Sequence, residues 1–193
     1  MRLLTQDIDA VAIGTSAGGV EALAALLSSL PRGCRASFFV VIHIPRERPS
    51  LLPEIFAAKC VLPVREAEDK EPIQPGTVYF AAPDYHLLVD RGPALALSSD
   101  DPVHYSRPSI DVLFESAADI YGERLMGLIL TGANQDGAAG LAAVGRAGGC
   151  TVVQEPSSAA APYLPEAALR QGPVDHVLSL EQLQGSFATW SKE

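Results

Sequence analysis

The chain has 193 residues, 48% hydrophobic and 19% charged, a balance that suits one globular domain spanning 1–193 and excludes a disordered chain. A formal net charge of −9 leaves no excess of Lys and Arg for non-specific binding to nucleic acid or anionic lipid. Cys34, Cys60 and Cys150 are odd in number and lack CxxC spacing, so they read as buried reduced thiols rather than a disulfide framework or a zinc site.

The elements alternate in type along the chain. Ile8 to Ile13 is a short apolar strand, and Val20 to Leu30 follows with helical spacing. "SFFVVIH", Ser37 to His43, is a strand buried on both faces. Pro49 to Cys60 is a helix and Leu62 to Glu66 a short strand. "PGTVYFAAPDYHLLVDRGPALAL" places short apolar runs between Gly and Pro turns, which predicts antiparallel hairpins. Pro108 to Ile120 is helical, with Pro108 in the first turn. A strand over Leu125 to Gly132, a helix over Gly137 to Ala147 and the strand "GCTVVQ" follow. A short helix (Pro165 to Arg170), a strand (Val174 to Leu178) and a closing helix (Leu180 to Trp190) complete the chain, with Trp190 packed on the core. This order predicts an α/β fold: a three-layer, doubly wound, mostly parallel sheet with an antiparallel hairpin extension at one edge. "SSAAAP", Ser157 to Pro162, is expected to be a mobile loop near a site. No apolar run approaches the roughly 20 residues of a membrane helix. Asp7 and Asp9 interrupt the N-terminus early, against a signal peptide, so a cytoplasmic location without membrane insertion is expected.

Ligands of open α/β sheets bind beyond the carboxyl ends of the strands, and three such ends carry chemistry. Gly14-Thr15-Ser16-Ala17-Gly18 matches the G-x-S-x-G elbow, in which a serine oxygen projects beside the free N–H groups of a helix start. The same geometry serves as a phosphate cradle, although Ser16 stands where a dinucleotide fingerprint needs glycine. A plain tight turn is the third reading. In "VVIHIPRER", His43 is placed to act as a general base or to remain a core histidine, and Arg46 and Arg48 could meet a 2′-phosphate. In "ILTGANQDGAAG", Asp136 is placed to cap its own helix or to orient a histidine. Gly132 and Asn134 in that turn both tolerate positive φ.

Five ordered blocks go further: "AIGTSAGGVEAL", "VVIHIP", "EAEDKEPIQPGTVYFAAPDYHLLV", "RPSIDVLFESAA" and "GLILTGANQDGAAGL". Together they resemble the catalytic domain of the CheB-type chemotaxis protein-glutamate methylesterases, from about Ala10 to Leu178. The resemblance implies a serine hydrolase that cleaves γ-glutamyl methyl esters on the cytoplasmic helices of chemoreceptors, releases methanol and in many members deamidates receptor glutamines. Ser16 would be the nucleophile, His43 the general base and acid, and Asp136 the group orienting His43. Ala17, Ala133, His86 and Arg107 would be oxyanion or substrate-binding positions. No metal or organic cofactor and no nucleic-acid partner is implied. Ala17 replaces the family's usual threonine, Ala133 its methionine and Asn134 its glycine, changes expected to alter substrate fit more than chemistry. Most members carry an amino-terminal receiver domain, whereas this chain starts almost directly on the first catalytic strand. The chain is then expected to be either a free-standing homologue, with a receiver domain or chemotaxis kinase as a partner in trans, or a fragment of something longer. A nucleotide-binding module and a catalytically weak receptor-docking homologue are the competing readings.

Overall fold

The computed structural model describes residues 8–43 and 50–190. Seven strands form one wholly parallel sheet. In chain order they are β1 (Ala10–Thr15), β2 (Ser37–Ile42), β3 (Val64–Glu66), β4 (Val78–Phe80), β7 (Leu125–Ile129), β8 (Cys150–Gln154) and β9 (His176–Leu178). Their spatial order is β3-β4-β2-β1-β7-β8-β9, so the chain runs from β1 through β2 to the edge strand β3, steps back to β4 between them, and then builds the other half outward from β7. The order reverses at the boundary between β1 and β7, where doubly wound sheets bind their ligands.

The central strands are buried on both faces, and alternate side chains feed two cores. Val11, Ile13, Phe38, Val40 and Leu128 face α1 (Gly19–Ser28), α2 (Leu52–Ala57) and α6 (Leu180–Ala188). Ala10, Ala12, Phe39, Val41 and Ile129 face α3 (Ile110–Tyr121), α4 (Ala138–Arg146) and α5 (Tyr163–Gln171). The second face is built for close approach: a Cβ at Gly14 would overlap the Ile110 side chain. The start of α3 therefore lies directly on the end of β1. Trp190 closes the first core edge-on against Phe38 and Phe187, with ring centroids 5.9 and 5.4 Å away. All three cysteines are buried and free.

The hairpin region divides differently from the sequence reading. Val78–Phe80 pairs in parallel with both β2 and β3, because its residues, buried on both faces, belong to the main sheet. Only β5 (His86–Asp90) and β6 (Ala94–Ser98) form an antiparallel hairpin, and it is a separate two-stranded sheet rather than added strands of the large one. It rests on α3, where the Val89 N–H donates to Ser116 Oγ at 3.1 Å. Ser157 to Pro162 is tied down. Ala161 N–H donates to Thr131 Oγ1 at 2.8 Å, and Gly132 N–H donates to Ala161 O at 2.9 Å. Pro49, where the second helix was predicted to begin, lies outside the described residues, and that helix forms over Leu52–Ala57. Among the described residues, no helix is long and apolar enough to cross a membrane.

Candidate active site

β1, β2 and β7 are adjacent and end level, with Thr15 beside Ile42 and Gly14 beside Ile129. Backbone pairing continues one step past the strands. Ser16 N–H donates to Thr131 O at 3.0 Å, and His43 N–H donates to Thr15 O at 3.2 Å. Ser16, His43 and the loop leading to Asp136 thus leave the sheet side by side.

Ser16 sits on a turn fixed largely by Thr131. The Thr131 carbonyl accepts from Ser16 N–H and from Thr15 Oγ1 at 2.7 Å, and its hydroxyl donates to Ala17 O at 2.9 Å. Buried Gln154 takes the Thr131 N–H on its Oε1 at 2.9 Å. The chain then turns through Gly18 at φ 77, a left-handed conformation, where a Cβ would also come within 2.7 Å of the Ala160 Cβ. A Cβ at Gly132 would approach the Ser16 Cβ to 3.2 Å, so the serine lies against Gly132. Ser16 is half-buried; Ala17 and Ala133 are exposed. Among the described residues, the N–H groups of Ala17 and Ala133 have no backbone acceptor.

His43, its side chain 13% exposed, is held at both ring nitrogens. Nε2 lies 2.8 Å from Asp136 Oδ2, and Nδ1 lies 2.9 Å from the Asn134 amide nitrogen. Asn134 Oδ1 accepts from Asp136 N–H at 3.2 Å, which orients the amide so that its NH2 faces the ring. The tautomer follows: Nε2 carries the proton toward the carboxylate, and Nδ1 offers its lone pair to Asn134.

The Asp136 carboxylate is fully buried and accepts two donors on each oxygen. Oδ2 takes His43 Nε2 and, at 2.7 Å, Ile110 N–H. Oδ1 takes Ser109 Oγ at 2.6 Å and Asp111 N–H at 3.2 Å. Asp136 therefore caps α3 rather than its own helix α4, whose N-cap is Gly137 at φ 110. Asp111 returns the arrangement: from the first turn of α3 its Oδ1 accepts the N–H groups of Gly137 and Gly140 at 3.0 and 2.6 Å. Each helix start is capped by a carboxylate from the other. Burial pushes Asp136 upward, but the bonds from His43, Ser109, Ile110 and Asp111 outweigh it and hold the carboxyl below the usual range. Burial dominates at Asp111 and, with the nearby Asp136 charge, raises it despite the bond from Gly140.

Ser16, His43 and Asp136 thus gather at one rim, but the remaining predicted positions separate. His86 does not line the cleft. It is 1% exposed, with Nδ1 accepting the Ser109 N–H at 3.1 Å and Nε2 3.1 Å from Asp101 O. Arg107 braces the loops around it: it pairs with Asp84 at 2.9 Å and donates to Ser99 O and Asp100 O at 2.7 and 3.0 Å. The predicted tolerance of positive φ at Gly132 and Asn134 is not called upon, since the left-handed residue of that loop is Gly137. Arg46 and Arg48 lie outside the described residues. Ser109 is the N-cap of α3; the sequence reading began that helix one residue earlier, at Pro108, and so placed the serine inside it. The ring contact of Asn134 has no local signal. Among the described residues no three His, Cys, Asp or Glu side chains converge as metal ligands.

Residues 11–187 match the family model described as CheB methylesterase. The chain belongs to the CheB methylesterase family. A Leptospira interrogans relative, provisionally named a protein-glutamate methylesterase/protein-glutamine glutaminase, is 42% identical over 93% of each chain. A Rhodopseudomonas palustris protein-glutamate methylesterase/protein-glutamine glutaminase is 36% identical over 94% of this chain, which spans about half (51%) of that relative. The crystal structure of the Thermotoga maritima CheB methylesterase catalytic domain superposes with a TM-score of 0.86 at 30% identity, covering 93% of this chain and 99% of that one. The mostly parallel CheB fold is therefore this chain's fold, and the methylesterase reading stands over the nucleotide-binding one.

Proposed function

We propose that this chain is a serine hydrolase that removes methyl groups from γ-glutamyl methyl esters of chemoreceptors, releasing methanol, and that the same apparatus deamidates receptor glutamines. The reading rests above all on His43, with Nε2 on the buried Asp136 carboxylate, standing at the strand end next to the Ser16 turn.

Because Nε2 is committed to Asp136, Nδ1 is the nitrogen that receives the serine proton. Ser16 Oγ bonds to the ester carbon as its proton passes to Nδ1, and the carbonyl π pair moves onto oxygen. The Ala17 and Ala133 N–H groups, which have no backbone acceptor among the described residues, would hold that oxyanion; being backbone donors, they are unaffected by the loss of larger side chains there. Collapse expels methoxide, which takes the proton from Nδ1. Water then attacks the glutamyl-Ser16 ester by the same route, freeing the carboxylate and restoring the hydroxyl. Asp136, still ionised, steadies the imidazolium at each stage.

Methanol release from methylated receptor fragments tests this. The parent protein should turn over, and Ser16→Ala should fall by about 10⁴-fold or more. Equal rates would overturn the assignment.

A further inference from the structure

We propose that Asn134 is a positioning residue that gates the nucleophile: its amide occupies the one ring nitrogen of His43 able to take the Ser16 proton. This rests on the assignment of Ser16 and His43 above. It also fixes an order of events, because the amide has to leave before acyl transfer begins.

The ring has two nitrogens and both are engaged, Nε2 with Asp136 and Nδ1 with Asn134. Among the described residues, no hydrogen bond joins Ser16 Oγ to His43. A neutral imidazole offers a single lone pair, so the amide and the serine hydroxyl compete for it. The contact serves one purpose for catalysis: with Asp136 on the other side, it holds the ring in the tautomer whose Nδ1 is basic. It is incompatible with the next step. Once Nδ1 takes the serine proton it becomes an N–H donor, and the Asn134 NH2 directed at it is also a donor.

Rotation of the amide by half a turn does not relieve this conflict. It would turn NH2 toward the Asp136 N–H, which now donates to Asn134 Oδ1, and set two donors face to face there instead. The side chain has to swing out. Its surroundings permit that, since Asn134 is only half-buried and its neighbours Ala133 and Gln135 are exposed. A substrate segment lying across Ala133 and Asn134 would displace the amide, so that Ser16 becomes competent when the cleft is filled.

Fluorophosphonate labelling of Ser16 reads this without any receptor. The hydroxyl oxygen bonds to phosphorus, fluoride leaves and the serine proton passes to His43, so the rate reports how freely Nδ1 is available. A small probe does not fill the cleft, and the gate should slow its reaction in the parent protein. Asn134→Gly and Asn134→Ala should both label about 3- to 10-fold faster, the worth of one neutral hydrogen bond. Nitrogen-15 spectra should show the His43 Nδ1 resonance moving in both variants while Nε2 stays protonated, a change that loosening of the loop alone would not produce. Equal or slower labelling with an unmoved Nδ1 resonance would overturn the gate. Labelling absent from the parent and both variants, or unaffected by Ser16→Ala, would instead overturn the nucleophile assignment and the gate with it.

Discussion

Replacing Asp136 by Asn changes one oxygen to NH2 and nothing in shape, yet it should be severe in two separable ways. Each carboxylate oxygen accepts two donors, and one of each pair is a backbone N–H that cannot turn away: Ile110 on Oδ2 and Asp111 on Oδ1. Whichever way the new amide sits, one fixed donor in the interior faces another donor. An unsatisfied buried donor costs about 1–3 kcal/mol. Loss of the negative charge at the start of α3 adds roughly 0.3–1 kcal/mol. The sum, about 1.5–4 kcal/mol, corresponds to a melting temperature lower by roughly 3–16 °C for a domain of this size. Activity should fall further than stability. An amide NH2 toward His43 requires Nε2 to accept, which moves the ring proton to Nδ1 and removes the base. A drop of about 10⁴-fold in kcat for methanol release is expected, by analogy with the wrong-tautomer variants of serine hydrolases. Thermal unfolding and methanol release on the same purified variant check the two effects independently. A variant within tenfold of the parent in kcat and unchanged in melting temperature would refute both the capping role and the tautomer argument.

The partner carboxylate should behave in the opposite sense. Asp111→Asn keeps an oxygen for the Gly137 and Gly140 N–H groups while removing a charge that burial and Asp136 make unfavourable. Its melting temperature at pH 7 should match or exceed that of the parent, whereas Asp111→Ala should lose about 1–3 kcal/mol for stranding two donors. The pH dependences also separate. Asp136 is lowered in the fold, so its contribution is present above the ordinary Asp value of about 4 and is lost as pH falls through its depressed value. Asp111 is raised, so it favours the fold below about 4 and loses that contribution as pH rises through its elevated value. The advantage of Asp111→Asn should therefore shrink in melts taken progressively toward pH 4, and a constant advantage would contradict the sign. Thr131→Val, close in volume, removes the hydroxyl that donates to Ala17 O and accepts from Ala161 N–H. It should cost about 1–3 kcal/mol in denaturant unfolding and slow fluorophosphonate labelling of Ser16, since the serine turn loses its brace.

The strand-end placement of Ser16, His43 and Asp136 and the parallel sheet were readable because each carries a local mark. A serine between small residues after an apolar strand, a histidine at the end of "SFFVVIH" and an aspartate after "LMGLILTG" can be placed on strand ends without any tertiary knowledge. What the reading lacked was long-range. Val78–Phe80 sits among Gly and Pro turns and resembles a hairpin strand, and only its burial between β2 and β3 makes it a member of the main sheet. His86 lies next to cleft-like residues in sequence, but its ring points into the interior to take the Ser109 N–H. Capping the helix that follows it, as a short-range rule suggests, is one of the two roles the sequence offers Asp136, yet α3 lies closer to its carboxylate because Gly14 lets that helix down onto β1. Asn134 shows the same limit: as a turn residue it was visible, but the side chain that selects the His43 tautomer belongs to no periodic pattern.

Covalent capture is the most direct test of the proton relay at the rim of the sheet. Acid quench during turnover of a methylated receptor peptide, followed by mass spectrometry of the digested protein, should find the peptide's mass less one methanol on the segment containing Ser16, and none on Ser16→Ala. Methanol release that continues undiminished in Ser16→Ala, with no such adduct in the parent, would contradict it.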